Sequence, residues 1–217
     1  MKSNFYTIAY AAVLGLVCAT ALTAVHALTE EAYKNNKAAK KARDIMMVLD
    51  IPFDANASAK EIVEIQERKV NEDKTLAGTL GVTGVYSSGE AEKRLWAIEF
   101  EGEGMWKPIK GLLCLKNDMK TIHGVTFYEQ EETPGLGARI TEPLFMDGFR
   151  GKTIYDSSGE ARIRIMPKGT HSGNNEIDAV SGASITSGKV EDMLNELIEK
   201  IDRARDAGKL PEVPDGR

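Results

Sequence analysis

Two cysteines, three histidines and a shortage of positive charge limit what this chain can do. Cys18 lies in an apolar N-terminal run and Cys114 lies far along the chain. No CxxC is present, so a thiol-based metal centre or dithiol couple is excluded. His26, His123 and His171 are scattered, with no ligand spacing such as HExxH, and read as structural or surface residues. Lys and Arg number 28 against 33 Asp and Glu, a formal net charge of -5. Phosphate contacts to nucleic acid need clustered basic residues, and the C-terminal two thirds shows no such face. No GxGxxG follows a strand pattern, so a dinucleotide fold is not indicated. Any redox chemistry must therefore come from a bound organic cofactor.

The chain has 217 residues, 42% of them hydrophobic. That suits one domain of ordinary size plus extra segments. Ser3–Thr29 carries no charge, and 5–28 reads FYTIAYAAVLGLVCATALTAVHAL. As a helix it spans about 36 Å at 1.5 Å per residue, enough for a hydrocarbon core of about 30 Å. Phe5, Tyr6 and Tyr10 suit the interfacial aromatic belt. Ala11, Ala12, Gly15 and Ala19 put small residues at helical spacing, which permits close docking on other membrane subunits. The competing reading is a cleaved signal peptide ending at Val25-His26-Ala27, but the apolar run is longer than the usual 7–15 residues of such a peptide. Lys34, Lys37, Lys40, Lys41 and Arg43 follow the span while Lys2 precedes it, so charge counting alone would put the globular part in the cytoplasm.

Beyond the span, Thr29 is positioned to cap a further helix whose apolar positions are Ala38, Ala42, Ile45, Met46 and Leu49, ended by Pro52. Ser58 and Glu61 form a capping box that opens a helix near 59–70. Trp96, Ile98 and Phe100 alternate with Ala97 and Glu99, a strand pattern. Gly111–Leu115 and Ile122–Glu129 flank Lys116-Asn117-Asp118 as a hairpin. Lys152–Asp156 and Ala161–Met166 flank Ser157-Ser158-Gly159 as a second hairpin. Val190, Met193, Leu194, Leu197, Ile198 and Ile201 form an unbroken helical stripe that must pack on the sheet. The fold class is α+β: an antiparallel sheet with flanking helices, preceded by one N-terminal transmembrane helix.

Two segments have chemical potential. The first is Asp178-Ala179-Val180-Ser181-Gly182-Ala183-Ser184-Ile185-Thr186-Ser187, with four hydroxyls where the last helix begins. Helix N-termini present unpaired N–H groups and a partial positive charge, and so stabilise phosphate without a lysine. Gly182 permits close backbone approach and Ala183 adds little bulk. The same residues also describe an ordinary helix cap. The second segment is Glu132-Thr133-Pro134-Gly135-Leu136-Gly137. Pro-Gly marks a tight turn with a positive-φ glycine. Beyond a plain turn, it offers a backbone wall at Leu136-Gly137 against a flat ring, with Thr133 as hydrogen-bond partner and Leu136 as apolar cover.

Together these segments resemble the FMN-binding domain family. Asp178-x-x-Ser181-Gly182-Ala183-Ser184 is similar to its flavinylation motif D-x-x-[ST]-G-A-[ST]. The ETPGLG run is similar to a hallmark of the C subunits of Na+-translocating NADH:quinone reductases and the related G subunits of Rnf complexes. Gly102-Glu103-Gly104-Met105-Trp106, Gly124–Gln130 and Gly151–Asp156 resemble the quinone-reductase subunits more closely. The resemblance implies covalent FMN, its phosphate esterified to Ser184 by a flavin transferase. Serine replaces the family's usual threonine, and Thr186 is the fallback acceptor. It implies an electron carrier rather than an NADH site, with no catalytic side chain and no metal. It implies membrane partners in a quinone reductase and a bacterial inner membrane location with the soluble domain periplasmic, against the charge count. The alternatives are an Rnf-type role or a membrane-anchored flavin sensor or scaffold. The expected organisation is a cytoplasmic N-terminus at 1–4, the span at 5–28 and a helical connector at 29–77. An FMN-binding domain at 78–207 and a flexible tail at 208–217 complete it.

Overall fold

The computed structural model describes residues 2–90, 93–170 and 173–211, with side chains from Phe5 onward. The reading of His171 and that of the tail beyond Pro211 lie outside the described residues.

The first element, α1 (Lys2–Val48), is one uninterrupted helix. Thr29 does not cap anything: its hydroxyl donates to the Val25 carbonyl one turn back, at 2.9 Å, inside the helix. The expected break at that point is absent because no Gly or Pro interrupts the stretch. The N-terminal part of α1 is exposed from Tyr10 to Ala38 and is long and apolar enough to cross a membrane. The C-terminal part is different. Ala39, Ala42, Ile45, Met46, Val48 and Leu49 are buried against one face of a sheet. The segment expected to be a connector is thus an integral layer of the domain.

After the turn at Leu49–Asp50, α2 (Ala59–Lys69) opens with the expected capping box. The Glu61 N–H donates to Ser58 Oγ and the Ser58 N–H donates to Glu61 Oε2. There follow β1 (Asn71–Glu72), α3 (Lys74–Leu80), β2 (Val85–Ser88), β3 (Leu95–Glu103), β4 (Pro108–Lys116) and β5 (Ile122–Glu129). These strands form one antiparallel sheet in the order β1-β2-β3-β4-β5. The β4–β5 hairpin is the one expected at Lys116-Asn117-Asp118. Alternation along β3 divides the core. Trp96, Ile98 and Phe100 face the C-terminal helix, while Ala97 faces α1 and α2 along with Tyr86, Leu112 and Cys114. His123 holds Asp50 at the end of α1 (2.7 Å), a structural pairing.

The second expected hairpin does not form. Among the described residues, a single bridge, Tyr155↔Ala161, joins its arms. Instead β6 (Arg164–Met166) pairs in parallel with β7 (Glu176–Asp178), and Thr153 bridges to Thr121 at the start of β5. The first arm is drawn to the main sheet and the second to a later strand. The chain then enters α5 (Ser184–Asp206), whose whole predicted stripe is buried. At roughly 1.5–3 kcal/mol per fully buried large apolar side chain, this stripe is a main source of stability. Gly208, at positive φ, closes α5, and Leu210 packs on the core, two residues past the boundary expected for a loose tail.

Candidate functional site

The Ser/Gly segment forms a turn followed by a helix. The Ala183 N–H donates to the Val180 carbonyl (3.0 Å), with Gly182 at φ +81. Glycine takes that conformation without the cost a side chain would add. The helix begins at Ser184, and no side chain caps it. Its first turn therefore keeps unpaired N–H groups and the positive end of the helix dipole.

The four hydroxyls have different surroundings. Thr186 and Ser187 are each only 2% exposed. Thr186 Oγ1 donates to Glu132 Oε2 (2.6 Å), and Ser187 Oγ accepts from the Val180 N–H (3.1 Å). Ser181 and Ser184 are exposed.

The second segment is tied directly to the first. The Leu136 N–H donates to the Thr133 carbonyl (3.1 Å) across Pro134-Gly135, and Gly135 has φ +74, as the sequence pattern requires. Glu132, just before the turn, is 5% exposed. Its Oε1 accepts from the N–H of Met105 (2.8 Å) and of Trp106 (3.4 Å), and its Oε2 accepts from Thr186. One carboxylate thus joins the β3–β4 loop, the turn and α5. Two glycines make room for it. A Cβ at Gly104 would lie 2.6 Å from Oε1, and a Cβ at Gly137 would lie 2.7 Å from Oε2.

Between these segments runs an open cleft of about 210 Å³, lined by Met105, Thr133, Leu136, Ala183, Ser184 and Ile185. Trp106 is tied to this lining, its indole N–H donating to Thr133 Oγ1 (3.2 Å). Ser184, Thr186, Gly182, Ala183, Thr133, Leu136 and Gly137 therefore meet at one place. Asp178 and Ser181 do not: they line a neighbouring apolar cavity with Leu144, Phe145, Ile177 and Val180. Asp178 Oδ1 accepts from the Gly169 N–H (2.8 Å), so the motif's acid orders the 167–170 loop. Three residues were not singled out from the sequence as site members. Glu132 was read only as the start of a turn, and Met105 and Trp106 only as part of a resemblance. The signal available for them was the Gly-x-Gly-x-Trp spacing, which leaves a bulky ring beside a backbone stripped of side chains.

The site suits a flat, phosphate-bearing group. The uncapped helix end can receive an anion, the exposed hydroxyl stands at that end, and an aliphatic wall of Met105, Leu136 and Ile185 lies alongside. Burial holds the Cys114 thiol far above its ordinary pKa, beneath α1, so it takes no part in chemistry here.

Residues 104–199 match the family described as FMN-binding domain. The chain is 32% identical over 149 residues to the C subunit of the Na(+)-translocating NADH-quinone reductase of Neisseria meningitidis serogroup B, covering 66% of this chain and 58% of that protein. It is 27% identical over 184 residues to the protein of the same name from Pseudomonas aeruginosa, covering 75% and 69%. The crystal structure of the corresponding C subunit from Parabacteroides distasonis superposes with TM-score 0.62 at 25% identity, over 79% of this chain and 96% of that one. NqrC from Shewanella oneidensis gives 0.60 at 21%, over 77% and 99%, a likeness of fold. The chain spans under two thirds of the length of the Neisseria relative. The resemblance read from the motifs is borne out, and so is the α+β class with its antiparallel sheet.

Proposed function

We propose, from the match of residues 104–199 to the FMN-binding domain family, that this chain is a membrane-anchored electron carrier. It holds FMN covalently through a phosphoester to Ser184 and works as the C-type subunit of a Na+-translocating NADH:quinone reductase. The observation that carries this reading is the accessibility of the hydroxyls. Ser184 is exposed at the first residue of an uncapped helix, whereas Thr186 and Ser187 are buried and already hydrogen-bonded. A transferase can reach the first and not the other two. Transfer from FAD forms one bond, Ser184 Oγ to the flavin phosphorus, and breaks the pyrophosphate bond. AMP leaves, and the serine proton leaves with it. The resulting phosphodiester keeps about one negative charge, which the N-terminus of α5 stabilises.

When bound, FMN supplies electron transfer between a donor and an acceptor outside this chain. The residues here hold and shield it. Thr133, Leu136 and Trp106 offer a ring wall, Gly182 keeps the turn tight, and Asp178 orders the loop behind the motif.

Anchoring by 5–28 with the domain on the periplasmic side is part of the same proposal. The basic residues after the span stand against this orientation, and the placement follows the resemblance instead, since charge counting is a statistical rule with exceptions.

Mass spectrometry of the native protein, produced with its transferase, tests the reading. The expected result is one FMN less one water on the peptide containing Ser184, and loss of the fluorescent gel band in Ser184→Ala. An unmodified native protein would refute it. Protease digestion of sealed vesicles tests orientation: cleavage from the cytoplasmic face alone would reverse it.

A further inference from the structure

Glu132 is an unusual residue to find beneath a cofactor cleft. It is a buried carboxylate whose partners are two backbone N–H groups and one hydroxyl, with no cation among them. We propose that Glu132 is the positioning residue of the flavin cleft, and that its fixed negative charge lowers the midpoint potential of the flavin held there. This rests on the function proposed above.

The positioning half follows from connectivity. Residues 105–106, 133–137 and 184–187 come from three separate stretches of chain, and the Glu132 side chain links the first to the third while its own backbone begins the second. Gly104 and Gly137 press on the two carboxylate oxygens so closely that a Cβ at either would collide. The side chain therefore has no room to swing away. The Met105–Trp106 backbone and the first turn of α5 are held at a set separation through it.

The charge half follows from what surrounds the cleft. Backbone N–H groups aim at its oxygens, the pattern expected of an ionised carboxylate, which only accepts. The cleft lining contains Glu132 and no Lys or Arg. Each electron that enters the ring without its proton adds one negative charge there. A fixed carboxylate in a poorly solvated wall opposes that charge, and the opposition is stronger than in water. Hydrogen bonding alone would not require a charged residue at this position, because glutamine has the same shape and can accept from the same N–H groups.

The test uses the full-length chain in detergent, produced with and without its flavin transferase, as wild type, Glu132→Gln and Glu132→Ala. Amide hydrogen exchange at Met105, Trp106 and Ser187 reads positioning without needing any flavin. The expected result is exchange at least tenfold faster in Glu132→Ala and within about twofold of wild type in Glu132→Gln. Reductive titration of the flavin-loaded forms reads the charge. At the wild-type midpoint, the reduced-to-oxidised ratio in Glu132→Gln should rise at least tenfold, about 59 mV for one electron. Wild-type protection in Glu132→Ala, lost protection in Glu132→Gln, or an unmoved potential in Glu132→Gln would each overturn the proposal. If Glu132→Ala does not fold, the Glu132→Gln measurements decide alone. A wild type that takes up no flavin refutes the cofactor reading instead, and the exchange measurement still tests Glu132.

Discussion

Replacing Asp44 by asparagine should stabilise this protein, and only above mildly acidic pH. Asp44 stands on the part of α1 that packs on the domain, and its Oδ2 is buried with no hydrogen-bond partner among the described residues. Burial raises its pKa from 3.8 to about 6, with Lys40 opposing the rise. The folded state therefore holds this proton more tightly than the unfolded chain does. Stability falls as pH rises from about 4 to about 6, and the full penalty persists above that. At about 1.4 kcal/mol per pKa unit, the rise corresponds to about 3 kcal/mol. Partial solvent access lowers this, so a gain of about 1–3 kcal/mol is expected for Asp44→Asn at pH 7.5. Asparagine keeps the shape and removes the charge, and the gain should shrink as pH falls from about 6 and vanish well below pH 3.8, where Asp44 is neutral in the folded and the unfolded chain alike. Urea unfolding of the full chain in detergent, followed by tryptophan fluorescence at several pH values, measures the difference. Comparing variant with wild type at each pH cancels the other carboxylates. A gain that is independent of pH, or a loss at pH 7.5, would refute the reasoning.

Further outcomes follow from the same packing. Gly137→Ala puts a Cβ 2.6 Å from Thr186 Oγ1 and 2.7 Å from Glu132 Oε2, and should cost about 1–3 kcal/mol in unfolding free energy; an unchanged urea midpoint would contradict this. Thr186→Val removes the donor to Glu132 Oε2. It should cost about 1–3 kcal/mol while flavin fluorescence on a gel persists, since Ser184 is the proposed acceptor; loss of the band would move the bond to Thr186. Lys41→Ala strips the cation from Glu99, which also accepts from the hydroxyls of Tyr86 (2.7 Å) and Tyr128 (3.2 Å). Because the lysine is partly exposed, the expected cost is about 2–3 kcal/mol. Adding Glu99→Gln should recover most of it in a double-mutant cycle, and additive losses would show that the pair is not coupled.

Much of the fold was legible because it is written in local pattern. The stripe from Val190 to Ile201, the Ser58–Glu61 box and the Pro134-Gly135 turn each depend on residues within a few positions of one another. The failures have a common cause. Lys152–Asp156 and Ala161–Met166 carry good hairpin chemistry, yet β6 found a better partner in β7, and Thr153 found one in Thr121. Thr29 resembles a helix cap but sits in a helix with no breaker, where its hydroxyl turns back on its own carbonyl ladder. The far half of α1 has the periodicity of a packed helix, and nothing local told which surface would cover it.

Composition and spacing by themselves determined the long apolar segment, the α+β class and the two phosphate- and ring-suited segments, because each is a matter of length, period or neighbouring residue type. Only the tertiary structure decided that Ser181 and Ser184 are exposed while Thr186 and Ser187 are buried, and that the Glu132 carboxylate meets the β3–β4 loop and α5. Thr186 and Ser184 differ by two positions along the chain. Thr186 is buried because Glu132, 54 residues earlier, returns to meet it, and that meeting depends on two glycines thin enough to let three strands of backbone close around one side chain.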